Sequence, residues 1–246
     1  MTDKNIEKKR YDDRAIKLIE ANNFEVPLGL HSYMMEPIDS YKKNLLANVF
    51  NGARVLEIGA GMGENTEFLL NQGFNVHATD ISSKSVEFLK KKYASYSLFE
   101  AEVADMESLP FNDNSFDVIC SAGSLSYGDN SIVMNEIYRV LVKGGIFIAI
   151  DSLNNNPIYK LNRYIHFLLG NRSKSTLQRM PTIKLLEKYT VKFDNVEVAY
   201  FGSLTWLFPI LRKFLNDDLM KEVSSSFDKK INIKKSAFKF TIKAIK

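Results

Sequence analysis

From Ala53 to Ile150 the sequence alternates short apolar runs with segments of helical period. Five runs are strand-sized: Arg54-Val-Leu-Glu-Ile58, Asn75-Val-His-Ala-Thr79, Ser97 to Val103, Ser115-Phe-Asp-Val-Ile-Cys-Ser121 and Ile146-Phe-Ile-Ala-Ile150. Helices are expected between them: Glu64 to Asn71 closed by Gly73, Ser82 or Ser83 to Tyr93, and Ile132 to Leu141 ended by Gly144-Gly145. Repeated strand–helix units bury their apolar surface as a parallel, doubly wound sheet with helices on both faces.

The flanks are less regular. Ile6, Ala15, Leu18 and Ile19 keep helical spacing, and Leu45, Leu46, Val49 and Phe50 suggest a second helix, so residues 1–50 read as a helical cap. After the core at 51–152, Pro157 to Leu169 reads as a helix, and Thr182 caps another running to Tyr189, within an insertion at 153–190. Val196 to Phe201 and Ala237 to Ile245 are strand-like parts of a closing segment at 191–246. A chain of 246 residues suits one such domain.

Residues 1–10 are charged and do not read as a signal peptide. The single cysteine, Cys120, allows no internal disulfide, and a cytoplasmic setting is expected. Three scattered histidines show no metal-ligand spacing, so no metal is expected. Charge is divided unevenly. Residues 1–153 carry 15 Lys+Arg against 22 Asp+Glu, and residues 154–246 carry 18 against 7. A basic second half fits either an anionic partner or solvated lysines on helix faces.

The turn after the first strand reads Val55-Leu-Glu-Ile-Gly59-Ala60-Gly61-Met-Gly63. Glycines there let the backbone bend sharply and approach a ligand with no Cβ in the way. The spacing is G-x-G-x-G rather than the dinucleotide G-x-G-x-x-G, and an acid, Glu57, stands two positions before the first glycine. Residues 55–63 resemble motif I of class I S-adenosylmethionine-dependent methyltransferases. The similarity extends over about residues 50–152, through Ala78-Thr-Asp-Ile81, Ala104-Asp-Met106, Leu109 to Ile119 and Glu136 to Gly145. It implies an α/β, Rossmann-like fold: a mostly parallel seven-stranded sheet, helices on both faces, an N-terminal helical cap and a helical insertion after the fifth strand.

The implied cofactor is S-adenosylmethionine, leaving as S-adenosylhomocysteine, and residues 51–152 would be its binding core. Glu57 would orient the methionine portion. Asp80 would accept hydrogen bonds from both ribose hydroxyls, because a carboxylate offers two acceptor oxygens to a vicinal diol. Asp105 would meet the adenine amino group, and Met106 would offer a backbone N–H and an apolar surface. Gly59, Ala60, Gly61, Gly63, Ile81 and Ser121 complete the expected cofactor set.

Methyl transfer from a sulfonium is an in-line displacement for which the protein supplies alignment and, for an oxygen nucleophile of high pKa, a base. Candidate bases are His31, Tyr33 and Glu36 in the N-terminal connection, Tyr127 and His166, with His31, Tyr127 and His166 foremost, while His77 and Cys120 read as structural strand residues. Tyr33, together with Arg163, Arg172 and Arg179 of the basic insertion, is expected to bind the acceptor, since guanidinium forks match the oxygens of a phosphate or other acid. Nucleic acid is not an expected partner. The fourth strand leads into Ser121-Ala-Gly-Ser-Leu-Ser-Tyr127 rather than the Asn/Asp-Pro-Pro-aromatic run of nucleobase-amine methyltransferases, and Cys120 lacks a Pro-Cys context.

A small-molecule or glycan acceptor, itself anionic, is the expectation. The second half is similar to methyltransferases of bacterial surface-polysaccharide biosynthesis, which implies O-methylation of a sugar in a nucleotide- or lipid-linked glycan. Two alternatives stand beside this: methylation of a quinone or other lipid ring, and a non-catalytic S-adenosylmethionine-binding regulator or subunit. The apolar segment Phe201 to Phe214, with Trp206, Phe208, Arg212 and Lys213, fits a core helix, a homodimer contact or peripheral membrane contact.

Overall fold

A computed structural model describes residues 3–26, 34–170 and 173–246. The strands are β1 (Arg54–Ile58), β2 (Asn75–Asp80), β3 (Phe99–Val103), β4 (Phe116–Ala122), β5 (Leu141–Ser152), β6 (Asn195–Phe201) and β7 (Lys239–Ile245). They form one sheet in the order β3-β2-β1-β4-β5-β7-β6. Pairing is parallel from β3 through β5, and β7 alone runs against its neighbours. The mostly parallel, seven-stranded Rossmann-like sheet is therefore as expected.

The helices are α1 (Asp3–Glu20), α2 (Glu36–Asn48), α3 (Glu64–Asn71), α4 (Ser83–Lys92), α5 (Asn130–Val140), α6 (Pro157–Leu168), α7 (Lys174–Arg179), α8 (Ile183–Lys192), α9 (Phe208–Leu211) and α10 (Asp217–Lys230). Strand side chains alternate between two buried faces. Leu56, Ile58, Ile119, Phe147 and Ile242 pack with α5 and α8, whereas Val55, Val76, Val118 and Ile148 pack with α2, α3 and α4. Side-chain caps begin several helices. The Ser82 hydroxyl accepts from the Ser85 amide, Asp129 caps α5, and Asn156 accepts from the Ile158 amide ahead of Pro157.

One boundary differs from expectation. Gly144-Gly145 do not end the helix; α5 stops at Val140, and β5 has begun at Leu141, opposite Phe116. Gly144 adopts φ +75° within that strand, and the ends are tied by Gly144 N–H to Lys246 O at 2.7 Å and Lys246 N–H to Gly145 O at 2.9 Å. The glycines bend a strand that pairs at its start, instead of capping the helix before it.

Candidate cofactor and acceptor site

Two adjoining cavities open at the carboxyl edge of the sheet, where the order reverses on either side of β1 and β4, the usual place for ligands in such folds. Both touch Gly59, Ala60, Glu64, Ala122 and Gly123. The first, of about 200 Å³, extends over the ends of β2 and β3; the second, of about 210 Å³, extends over β1 and β5 to the start of β7.

The glycine turn lies between them. Gly59 (φ +68°) is packed so closely that a Cβ would fall 2.3 Å from Ser124 Cβ. Gly61 (φ +57°) is different: a Cβ there would project beside the first cavity, with only a Tyr11 ring carbon near, at 3.8 Å. One glycine thus serves tight packing and the other leaves backbone open to a ligand. The Tyr93 hydroxyl donates to Gly63 O at 2.7 Å and holds the far end of the turn.

Asp80 ends β2 and faces the first cavity. Its Oδ2 accepts from the Gly61 amide and its Oδ1 from the Ser82 amide, each at 2.9 Å. Burial raises its pKa and these amides oppose the rise. Each oxygen keeps acceptor capacity, as a diol requires. Asp105 follows β3. Its Oδ1 accepts from the Glu107 amide at 3.0 Å and its Oδ2 from Lys4 Nζ at 2.6 Å. Ile81 and Met106 line the same cavity, so the expected ribose and adenine residues are gathered there.

Glu57 lies on the α2–α3 face of β1, where strand alternation would place an apolar residue. It lines the second cavity, with Oε1 accepting from Asn65 Nδ2 at 2.9 Å and Oε2 from Thr66 Oγ1 at 2.6 Å. Burial raises its pKa to about 7, against the pull of Thr66 and Asn65. A raised carboxyl pKa means that the contribution of Glu57 to stability of the ligand-free protein declines as pH rises from about 4.5 to about 7. A ligand ammonium beside Glu57 reverses the preference. S-adenosylhomocysteine binding is therefore expected to release protons near pH 6–7 and to tighten as pH rises through that window. Calorimetry in buffers of differing ionisation enthalpy measures this, and a Glu57→Gln protein should lose the proton release.

Several expected residues are placed elsewhere. Ser121 is fully buried, its hydroxyl 2.6 Å from that of Ser124, and lines neither cavity; it braces the turn from below, since Ser124 Oγ donates to Ile58 O. Tyr127 lines the first cavity, where its hydroxyl accepts from Tyr11 and Arg10, each at 3.2 Å. His166 is exposed on α6 and lines neither cavity. Arg163 is buried, donating to Leu153 O and Asn154 Oδ1, both at 2.9 Å. Arg179 donates to Tyr127 O at 3.3 Å and lies 3.6 Å from Glu107. Neither arginine lines either of these cavities: Arg163 is held by oxygens of the irregular insertion, and Arg179 by oxygens of the core. His31, Tyr33 and Arg172 lie outside the described residues.

Two contributions were not foreseen. Helix α1 lies across the first cavity, with Lys4, Glu7, Tyr11 and Arg14 on one face at spacings of three and four. It is tied to the core by Lys4 to Asp105 and by Ser82 Oγ donating to Asp12 at 2.6 Å, and to α7 by Thr176 Oγ1 donating to Glu7 at 3.1 Å. Lys239, the first residue of β7, lines the second cavity beside Ile38, Ile150, Ala60 and Ala122. Among the described residues its ammonium has no hydrogen bond or ion pair. Burial lowers its pKa, with Asp151 opposing.

The family model described as "Methyltransferase domain" matches residues 56–149. A sterol 4-C-methyltransferase of Caenorhabditis elegans is 29% identical over 184 residues, covering 70% of this chain and 52% of that protein. A demethylmenaquinone methyltransferase of Clavibacter sepedonicus is 33% identical over 117 residues, 46% of each. The chain thus spans about half the length of these relatives. The solved structure of the [4+2]-cyclase SpnF superposes with a TM-score of 0.64 at 16% identity, covering all of this chain and 96% of the cyclase, a likeness of fold alone. Motif geometry and matched segment agree: residues 56–149, which carry the glycine turn, Asp80 and Asp105, match the methyltransferase-domain family.

Proposed function

We propose that the protein transfers a methyl group from S-adenosylmethionine to a small-molecule acceptor that has an apolar body and an anionic group. The observation that carries this is the second cavity, where the Lys239 ammonium, with no hydrogen bond or ion pair among the described residues, stands beside Ile38, Ile150, Ala60 and Ala122. Burial disfavours this charge and Asp151 opposes that effect, so an anionic ligand in contact with the ammonium would stabilise it further. The cofactor supplies an electrophilic methyl on a sulfonium. The chain's own residues do the rest: Asp80 and Asp105 orient through the first cavity, Glu57 takes an ammonium, and the adjoining second cavity holds the acceptor beside the cofactor.

A sugar in a lipid-linked glycan meets both demands, since its phosphate is anionic and its lipid apolar. The insertion arginines Arg163 and Arg179 give this reading less support than their sequence setting implied, being held by protein oxygens. The sterol and demethylmenaquinone relatives favour a second reading, a neutral lipid-ring acceptor, to which Lys239 would contribute nothing.

The test is mass-spectrometric detection of S-adenosylhomocysteine and methylated product with lipid-linked sugar phosphates, nucleotide sugars, acyl and isoprenoid acids, and quinols. Lys239→Met is expected to raise KM for an anionic acceptor by about tenfold or more while leaving S-adenosylhomocysteine affinity unchanged. Turnover with quinols alone, insensitive to Lys239, transfers the conclusion to the second reading. Tight cofactor binding with no turnover on any acceptor leaves a non-catalytic binding protein.

A further inference from the structure

Helix α6 is folded inside out. Its only buried residue is Arg163, the most polar side chain it has. Ile158, Leu161, Tyr164, Ile165 and Leu168 are all exposed, and Leu169 follows them at 67% exposure. At 100° per residue these six fall within an arc of about 140°, opposite Arg163. In a water-facing helix that stripe would be turned to the core. Further exposed apolar residues lie on segments bonded to the start of α6. Tyr159 is hydrogen bonded to Thr205, which starts the turn into α9, and there Ile210 and Phe214 are exposed at 61% and 80%. Asn156, which caps α6, donates to Ser236, placing exposed Ile231 and Ile233 nearby.

The charge around this surface is mostly basic, with exposed Asp217 and Asp218 as acids beyond Phe214. No acidic residue occurs between Asp151 and Glu187, a span with six Lys+Arg, and none between Glu197 and Asp217, where Arg212 and Lys213 are exposed. Residues 229–246 contain seven lysines and no acid. A second copy of the chain docked by symmetry on this face would set like charge against like. An anionic bilayer supplies both the apolar medium and the counter-charge. Twelve residues of helix reach about 18 Å, too short to cross a membrane.

We propose that α6 is an interfacial helix that lies in the plane of an anionic lipid bilayer, with the α9 segment beside it. The proposal is independent of which acceptor the site takes.

The experiment is co-sedimentation of the full chain with phosphatidylcholine vesicles, with and without phosphatidylglycerol. Emission of Trp206, the sole tryptophan, is followed in parallel, since it lies in the turn beside Tyr159. Binding is expected only with phosphatidylglycerol, weakening as salt rises. Leu161→Glu/Leu168→Glu and, separately, Arg212→Glu/Lys213→Glu are each expected to weaken it by about tenfold or more. All four positions are exposed, so melting temperature and S-adenosylhomocysteine affinity should be unchanged in both proteins. Failure to bind phosphatidylglycerol vesicles, or binding unaltered by the α6 substitutions, overturns the proposal. So does a dimer in sedimentation velocity that the leucine substitutions dissociate, which would make a second copy the occupant.

Discussion

Asp80→Ala is expected to weaken binding of S-adenosylmethionine and S-adenosylhomocysteine by roughly 30- to 900-fold. Two charge-assisted hydrogen bonds, each worth about 1.5–3 kcal/mol and not fully additive, amount to about 2–4 kcal/mol. The carboxylate also accepts from the Gly61 and Ser82 amides, so part of any loss could arise from a loosened turn. A 2′-deoxyadenosyl analogue separates the two effects. It should bind the wild type more weakly than the natural ligand does, and the gap should shrink in Asp80→Ala, because the deleted partners belong to one interaction. An unchanged gap would mean that Asp80 only braces the glycine turn. Calorimetry reads all four affinities.

Gly59→Ala should be the most damaging single methyl in the molecule. Alanine at φ +68° costs about 1–2 kcal/mol. The new Cβ would also stand 2.3 Å from Ser124 Cβ and 2.6 Å from its Oγ, and overpacking of that kind costs about 1–3 kcal/mol more. A loss of about 2–5 kcal/mol corresponds to a fall in Tm of roughly 5–15 °C for a chain of this size. Cofactor binding should fall with it, because the turn forms the wall shared by both cavities. Ser124→Gly removes the colliding atoms but not the backbone strain. The double substitution should therefore recover part of the stability and not all. Full recovery would assign the whole effect to the clash; none would assign it to φ. Scanning calorimetry distinguishes these results. Gly61→Ala makes a useful contrast, having the strain without the collision.

Much of the cofactor half was readable because its information is local. Glu57, the glycines and Asp80 lie within 24 consecutive residues, on strand ends that periodicity locates and a parallel sheet must gather at one edge. Asp105 and Met106 follow β3 by the same rule. Ser121 shows its limit: the strand was located, but alternation turned this hydroxyl toward Ser124 and away from both cavities.

The rest of the two cavities was not readable in the same way. Lys4, Glu7, Tyr11 and Arg14 form a clear helical stripe, yet a polar stripe on a terminal helix looks the same whether it faces water or a ligand. Lys239 begins a strand more than eighty residues beyond the core, and only the insertion of β7 beside β5 brings it to the second cavity. Arg163 looked available for an acid because sequence does not show which protein oxygens lack partners; Leu153 O and Asn154 Oδ1 claimed it. That claim also set the rotation of α6. Period 3.6 states that the helix has one apolar side and one polar side, and that much is intrinsic to the chain. Which side turns inward depends on what the neighbouring surface must have satisfied, and a buried carbonyl needing a donor outweighed a stripe of leucine and isoleucine. Sequence alone determined the parallel strands, the glycine turn and the place of Glu57, Asp80 and Asp105 on strand ends, since those follow from short-range periodicity and backbone sterics, while the roles expected of the acids come from the resemblance. Tertiary structure alone decided the lining of the second cavity and the outward face of α6, since those depend on contacts between residues far apart in the chain.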